Sequence, residues 1–351
     1  MAYTDIDDPS AYFQTTLYTG TGSSLTVTNG GNSDLQPDLV WLKSRGITEG
    51  HFWTDSVRGV QKTIRSYRTN AEETESQGLT AFNSDGFTIG TNSDINTNTD
   101  LNVAWQWKAG TSFTNDASGT GIGSLDSTGS VNTDAGFSII KWTGNDANAT
   151  VAHGLGAVPA MFIVKNLSNG TTGWYVYHKS LGNTKHILLD TAAALVDDIN
   201  WNDASPTSTV INLGGQTGSN GPSNSMLVYC FAEKQGYSKF GSYTGNGNAD
   251  GTFVYTGFKP AFVIFKRTDA VFTWSMFDNK RDIDNVTHHR LQPNATNAEY
   301  SGTEMNHDLL SNGFKLRTSD NEFNASGGTY IYMAFAENPF VTSTGVPATA
   351  R

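Results

Sequence analysis

The chain has 351 residues, with 22 basic and 33 acidic side chains that give a formal net charge of −11. Charged residues make up only 16% of it, against about 25% in an average soluble domain, and the lysines and arginines are scattered rather than clustered. Nucleic-acid-binding proteins need clustered cations and membrane-inserted helices need about 18 consecutive apolar residues, so both classes are excluded. The single cysteine, Cys230, also excludes an internal disulfide framework and a site built from several thiolates.

One arrangement of residues occurs three times along the chain. An aromatic-Thr-Gly triplet is followed by a proline, one spacer, four largely apolar residues and a lysine, and a tryptophan comes eight to ten residues later. These landmarks occupy Tyr18, Pro37–Lys43 and Trp53 in the first copy, Trp142, Pro159–Lys165 and Trp174 in the second, and Tyr243, Pro260–Lys266 and Trp274 in the third. A fixed order of landmarks indicates an internal repeat, so we expect one structural unit in triplicate.

The apolar run after each proline has the length and the β-branched and aromatic composition of a strand. Turn-forming pairs such as Asn29-Gly30 and Asn312-Gly313 separate further short segments, and candidate helices are few. The predicted fold is therefore all-β, with three tandem antiparallel β-sandwich (jelly-roll-like) repeats. The repeats span residues 1–110, 137–236 and 237–351, and the Gly/Ser/Thr-rich residues 111–136 form an insertion or linker.

Successive side chains of a strand point to opposite faces, so each apolar run divides into two sets. In the first copy one set is Leu39 with Trp41, and the other is Val40 with Leu42. The corresponding first sets are Met161 with Ile163 and Phe262 with Ile264, and the second sets are Phe162 with Val164 and Val263 with Phe265. We expect the same set to face the inter-sheet core in every copy, and the three tryptophans to lie at equivalent places on a neighbouring strand.

Motifs that would indicate catalysis are missing from the sequence. The run Gly119–Gly123 lacks the strand and helix that flank a phosphate-binding loop, so we predict a linker or hairpin there. His178 and His186 come about one hairpin apart, but no further ligand completes a zinc set. Cys230 lies among aromatic residues and is interpreted as a buried apolar residue. We expect no catalytic, cofactor-binding or metal-binding residues.

Two features built on acidic residues could be either structural or functional: a pair of aspartate–arginine motifs and two segments rich in oxygen ligands. An aspartate precedes an arginine by three residues at two similar places, Asp55–Arg58 and Asp278–Arg281. Each is either a surface ion pair at a strand end or part of a polar binding rim. The oxygen-rich segments Ser93–Asp100 and Asp278–Asn285 do not have the spacing of a known calcium loop, so we predict no calcium there.

Four long segments resemble a β-sandwich domain that recurs in virion proteins of tailed phages, especially marine phages. They span residues 51–64, 79–92, 136–166 and 329–340. The resemblance extends from about Tyr12 to Phe340 and covers tail-fibre-like and other structural proteins of the virion. It implies a non-enzymatic virion protein at the tail or particle surface, which contacts other virion proteins as an oligomer. The acidic, polar start of the chain does not resemble a secretion signal, and we expect synthesis in the host cytoplasm.

The resemblance leaves two functions open. One is host attachment, in which a tail fibre or other receptor-binding component binds a glycan or protein of the host surface. The other is a capsid-decorating knob or tail adaptor whose contacts are all structural. For attachment we predict Trp201 and Tyr300 as ligand-binding residues, because both are aromatic residues in polar segments, where a ring can stack on a sugar. The turn-rich segments Thr91–Asp100 and Asn246–Asp250 are further candidates.

Overall fold

Antiparallel strands dominate the computed structural model, which describes residues 3–348. Strands account for 41% of the chain and helix for 6%, which confirms the predicted all-β class. The helices α1–α4 and two 3₁₀ turns are single turns, at Ser93–Asn96, Ala117–Thr120, Thr217–Asn220, Asn321–Asn324, Pro9–Ala11 and Thr303–Met305. No helix within residues 3–348 is both long enough and apolar enough to cross a membrane.

The first unit comprises residues 3–110 and forms strands β1–β9. They are Phe13–Thr19, Leu25–Val27, Leu39–Ser44, Phe52–Asp55, Lys62–Thr63, Glu73–Thr74, Leu79–Phe82, Phe87–Ile89 and Leu101–Trp107. A larger sheet has the order β1-β9-β3-β4, a smaller sheet has the order β2-β8-β7, and β5 pairs with β6. The first and last strands of the unit are therefore neighbours in its larger sheet.

The second unit comprises residues 111–236 and forms strands β10–β19. They are Thr111–Asn115, Ser127–Asn132, Phe137–Thr143, Ala149–Ala152, Met161–Asn166, Trp174–His178, Lys185–Leu188, Val196–Asp197, Val210–Leu213 and Ser225–Phe231. The larger sheet has the order β10-β11-β12-β19-β14-β15-β16-β17, and β13 pairs with β18. Residues 111–136 thus form an insertion that widens this sheet rather than a linker. Gly129 allows the close pairing, because a Cβ there would lie 1.9 Å from the carbonyl oxygen of Ile139.

The third unit comprises residues 237–348 and forms strands β20–β28. They are Ser238–Thr244, Phe253–Tyr255, Phe258–Arg267, Ser275–Asp278, His289–Arg290, Tyr300–Ser301, His307–Leu310, Gly313–Leu316 and Thr329–Pro339. The larger sheet has the order β20-β28-β22-β23, the smaller sheet has the order β21-β27-β26, and β24 pairs with β25. Four strands therefore recur in the same order in all three units, with β12-β19-β14-β15 as their counterpart in the second.

The second set of side chains on the repeated strands faces a separate core in each unit. In the first unit Val40 and Leu42 of β3 pack with Phe87 and Ile89 of the smaller sheet. The equivalent residues of β14 and β22 pack in the same way with the smaller sheets of their own units. The prediction that one and the same set faces the inter-sheet core in every unit is confirmed.

The first set lies in one core that all three units share. Its members on the repeated strands are Leu39, Trp41, Met161, Ile163, Phe262 and Ile264. Rings from different units touch there, with centroids 5.3 Å apart for Trp53 and Trp174 and 6.0 Å apart for Trp107 and Phe262. Each larger sheet therefore has apolar contacts on both faces, which accounts for the uninterrupted apolar runs in the sequence.

Contacts that repeat at three seams close the units into a ring. One backbone hydrogen bond, from an N–H of one unit to a carbonyl of the next, occurs at every seam. The three bonds run from Glu72 to Leu167, from Leu195 to Thr268 and from Glu299 to Arg45, with N···O distances of 2.8, 3.0 and 2.8 Å. They join the first unit to the second, the second to the third, and the third to the first.

Trp53 does not occupy the place that Trp174 occupies, so the prediction of three equivalent tryptophans is wrong for the first unit. Trp53 pairs with Trp41, whereas Trp174 pairs with Lys165, one pleat further along the strand. One residue beyond the pair Leu42–Phe52, the same register sets His51 opposite Lys43, where the second unit has Trp174 opposite Lys165. The residues between the lysine and the tryptophan include a turn, so their number does not fix the position of the tryptophan on the next strand. A shift of two residues along that strand still leaves the ring on the same face of the sheet.

Candidate binding site in the third unit

A shallow groove of about 360 Å³ lies on the third unit. The pairing of β24 with β25 brings together the two segments that line it. The lining residues are Val286, His288, Ser301, Gly302, Thr303 and Asn306. His288, Ser301, Thr303 and Asn306 supply imidazole, hydroxyl and amide groups there, so the groove can exchange hydrogen bonds with a polar ligand.

Tyr300 begins β25 and directly precedes the groove residues Ser301 and Gly302. About half of its surface is exposed, and it pairs with Arg290 of β24. The carboxylate of Glu304 accepts a hydrogen bond from the phenol, and this raises the pKa of Tyr300. An exposed ring beside polar groups is what stacking on a sugar requires, so Tyr300 keeps its predicted role as a candidate.

Asp282 organises the segment on one side of the groove. Its Oδ2 accepts hydrogen bonds from the backbone N–H groups of His288 and His289, at 2.9 and 2.8 Å, and its Oδ1 lies 2.6 Å from Nδ1 of His289. Burial alone would raise the pKa of Asp282, but these hydrogen bonds outweigh it and hold the pKa below its usual value. The result is an anionic carboxylate that touches two partly exposed imidazoles.

Trp201 is buried, and the prediction that it binds a ligand is wrong. Its ring centroid lies 4.8 Å from that of Phe162 and 6.1 Å from that of Tyr177, in the inter-sheet core of the second unit. Its indole N–H donates a 2.9 Å hydrogen bond to the carbonyl oxygen of Lys185. The smaller sheet of this unit is two-stranded, against three strands in the other units, and the loop with Trp201 supplies the remaining apolar cover.

The two turn-rich candidate segments are organised by a buried asparagine that recurs in the short helices of all three units. These residues are Asn96 in α1, Asn220 in α3 and Asn324 in α4. In the third unit the amide of Asn324 donates to Oδ1 of Asn246 and to the carbonyl of Asn248, both at 2.8 Å. These asparagines therefore hold the two segments in place, and since residues 246–250 are exposed, the role of the segments in binding stays a prediction.

The two aspartate–arginine pairs are ion pairs at strand ends, as predicted, but they lie buried between units, so their predicted surface location and the alternative of a binding rim are wrong. Nε of Arg58 donates to Oδ2 of Asp55 at 2.5 Å, and Nε of Arg281 donates to Oδ2 of Asp278 at 2.6 Å. All four side chains have no exposed surface. Each carboxylate also accepts a hydrogen bond from an aromatic residue of a neighbouring unit. These ion pairs hold the units together and are closed to ligands.

Three lysines at the ends of the repeated strands are buried as well. Burial lowers the pKa of Lys43, Lys165 and Lys266 to about 8. Nζ of Lys165 donates to the carbonyl of Thr69 in the first unit at 2.7 Å, and Nζ of Lys266 donates to the carbonyl of Ala192 in the second at 3.3 Å. Lys165 and Lys266 therefore belong to the seams, whereas Nζ of Lys43 donates to the carbonyls of Ser44 and Ile47 in its own unit.

His178 and His186 are both buried and face different surroundings. Nε2 of His178 lies 3.3 Å from the carbonyl oxygen of Tyr332 in the third unit, and the ring of His186 lies 5.1 Å from that of Tyr175. Cys230 is buried on β19, and burial raises the pKa of its thiol. Its interpretation as a buried apolar residue is confirmed.

Residues 8–339 match the family described as a domain of unknown function, DUF7483, and the chain belongs to this family. A search among curated proteins finds no match. The matched segment includes the seams and the groove of the third unit.

Proposed function

We propose that this member of the DUF7483 family is a non-enzymatic virion protein of a tailed phage, which attaches the particle to its host. It acts as a tail fibre or another receptor-binding component at the tail or particle surface. It is made in the host cytoplasm and assembles as an oligomer with other virion proteins. Support comes from the resemblance between about Tyr12 and Phe340, and from a sheet order that fits three tandem β-sandwich repeats.

The exposed ring of Tyr300, next in the chain to the groove residue Ser301, is the observation that carries the binding role. A sugar offers apolar C–H faces for stacking and hydroxyls for hydrogen bonding. Tyr300 supplies a ring, and Ser301, Thr303 and Asn306 supply hydroxyl and amide groups in the same segment. The buried seams give this segment a rigid support, which binding loops need. The ligand in this proposal is a glycan or protein of the host surface.

A purely structural role, as a capsid-decorating knob or tail adaptor, is favoured by a different observation. Phe253 and Tyr255 lie on the same face of β21 and expose 43% and 53% of their surfaces. Exposed aromatic residues on a sheet face are typical of surfaces that dock against another protein. The same chain could therefore join two virion components without any host contact.

Binding of the purified protein to a glycan array and to intact host cells tests the proposal. Tyr300→Ala is the variant, and Tyr255→Ala is the matched control, because the two tyrosines are 54% and 53% exposed. We expect saturable binding by the wild-type protein, about tenfold weaker binding by Tyr300→Ala, and unchanged binding by Tyr255→Ala. No binding by the wild-type protein, or the same loss in both variants, would favour the structural role.

A further inference from the structure

We propose that Asp282, His288 and His289 form a binding site for one divalent transition-metal ion of the Zn²⁺ type, a role independent of the function proposed above. One ligand atom of each side chain lies within 4.8 Å of the others. Oδ1 of Asp282 lies 2.6 Å from Nδ1 of His289 and 3.5 Å from Nδ1 of His288. Two ligands of a tetrahedral zinc ion with bonds of about 2.0 Å are about 3.3 Å apart, so small ring movements suffice.

The donor set decides the class of metal. Two imidazoles and one carboxylate suit Zn²⁺, Co²⁺, Ni²⁺ and Cu²⁺, whereas Ca²⁺ and Mg²⁺ prefer oxygen ligands alone. Three protein ligands leave one position of a tetrahedral ion open. His288 also lines the groove, so the open position lies beside it and can take a water molecule or an oxygen atom of a polar ligand.

The carboxylate is fixed before a metal arrives. The side chain of Asp282 is only 4% exposed, and its Oδ2 holds the backbone N–H groups of both histidines. These two bonds turn consecutive histidines towards one carboxylate, with ring centroids 4.5 Å apart. Little conformational freedom of the segment is therefore lost when an ion binds.

The imidazoles are accessible, with 39% of the His288 side chain and 32% of the His289 side chain exposed. Nδ1 of His289 lies 2.6 Å from Oδ1 of Asp282, so a metal ion can replace this contact with one bond to each atom. Nδ1 of His288 lies 2.9 Å from the carbonyl oxygen of Val286, so the His288 ring turns away from this carbonyl when it binds an ion together with Asp282.

Titration of the untagged full-length protein with ZnCl₂, followed by calorimetry, tests the site. Co²⁺ serves as a second probe, because its visible absorption reports ligand type and geometry. The test variant is His288→Ala with His289→Ala, and the matched control is Asp284→Asn, which changes an exposed carboxylate in the same loop. His288→Ala alone, at the more exposed ring, is measured in parallel, and circular dichroism verifies that each variant is folded.

We expect one Zn²⁺ per wild-type chain and a Co²⁺ spectrum typical of imidazole ligands. The double variant should lose this binding, His288→Ala should bind at least about tenfold more weakly, and Asp284→Asn should bind as the wild type does. Failure of the wild-type protein to bind either ion saturably would overturn the proposal. Equal binding by the wild type and the folded histidine variants would overturn it as well.

Discussion

The phenolic hydroxyl of Tyr229 donates a 2.7 Å hydrogen bond to Oδ2 of Asp55, across the seam between the second and first units. Trp105 makes the corresponding bond from its indole N–H to Oδ2 of Asp278, at 3.1 Å, across the seam between the first and third units. Both donors come from the strand that is last in its unit in chain order, and both acceptors come from the strand that follows the repeated strand. The two seams therefore use the same construction.

At the seam between the second and third units, both residues of this hydrogen bond are replaced. His178 stands where the other units have an aspartate, and Met333 of β28 stands where the others have Tyr229 or Trp105. Nε2 of His178 lies instead 3.3 Å from the carbonyl oxygen of Tyr332. A carboxylate at this place would face no side-chain donor, which gives a physical reason for the coordinated change.

The buried pair at the first seam predicts a large effect of a single substitution. Asp55→Asn should lower the free energy of unfolding by about 3–5 kcal/mol, because it removes the nearest counter-ion of the buried Arg58. Tyr229→Phe should cost about 1–3 kcal/mol, since Asp55 then keeps its bond with Arg58. Urea denaturation followed by tryptophan fluorescence measures both. Asp197→Asn, at an exposed carboxylate, is the control, and an equally small effect of Asp55→Asn would show the seam to be unimportant.

Substitution of Trp201 should lower the stability of the protein, whereas substitution of Tyr300 should leave its stability unchanged. Trp201→Ala should lower the free energy of unfolding by about 3–5 kcal/mol, because its ring fills the core beside Phe162. Tyr300→Ala should leave the melting temperature unchanged, because its ring is exposed. Thermal unfolding followed by circular dichroism measures both variants. A melting temperature unchanged by Trp201→Ala would contradict its place in the core.

The buried lysines Lys43, Lys165 and Lys266 should make the protein more stable as the pH rises above 8. Burial gives each a pKa of about 8 in the folded state, against 10.5 in the unfolded chain. Between these values the unfolded state binds more protons, so the free energy of unfolding rises by at most about 1.4 kcal/mol per pH unit for each lysine. Below pH 8 both states are protonated, and this contribution is constant.

Urea denaturation between about pH 7.5 and about pH 9.5 measures the slope of the free energy of unfolding against pH. The range stays below the titration of unfolded tyrosine near pH 10, where residues such as Tyr229, whose pKa burial raises, act in the opposite direction. Lys165→Met removes one of the three contributions and should reduce the slope. A slope that is the same in Lys165→Met and the wild type would rule out the buried lysine as its source.

The shared core predicts that the three units unfold together. Cys230 lies in the separate core of the second unit, so its reaction with a thiol reagent reports the opening of that unit, while circular dichroism reports the whole chain. We expect both probes to give one midpoint in urea. Phe13→Ala, in the shared core, should move both to lower urea by the same amount. Reaction of Cys230 well before the loss of circular dichroism would show that the second unit unfolds alone.

Much of the strand pattern was predictable, because its signal is local. Alternation along β3 separates Val40 and Leu42 from Leu39 and Trp41, and the repeat carries this division into the other units. The sequence near Leu39 does not show what this face of the strand packs against, since that depends on how the larger sheets of three units meet. The uninterrupted apolar runs fit burial on both faces, but the sequence predicted only one buried face, because the pattern does not show what the second face packs against.

The candidate site shows where sequence reasoning reaches its limit. Trp201 and Tyr300 both lie in polar segments of the sequence, but Trp201 packs in the core of the second unit and Tyr300 is exposed. Asp282 comes six and seven residues before His288 and His289, a spacing that matches no metal motif. The only sign of this site in the sequence was the pair of consecutive histidines, His288 and His289, after an acidic segment. The hydrogen bonds to Oδ2 that fold the segment back could not be predicted from it.

Immunogold electron microscopy of purified phage particles, with antibodies raised against this chain, tests the proposed virion role most directly. The particles are taken from a phage that carries the gene, and a phage without it is the control. We expect gold on the tail or surface of intact particles from the first phage and none on those from the second. Unlabelled particles, in a lysate where the chain remains wholly in the soluble fraction of the host, would contradict the proposal.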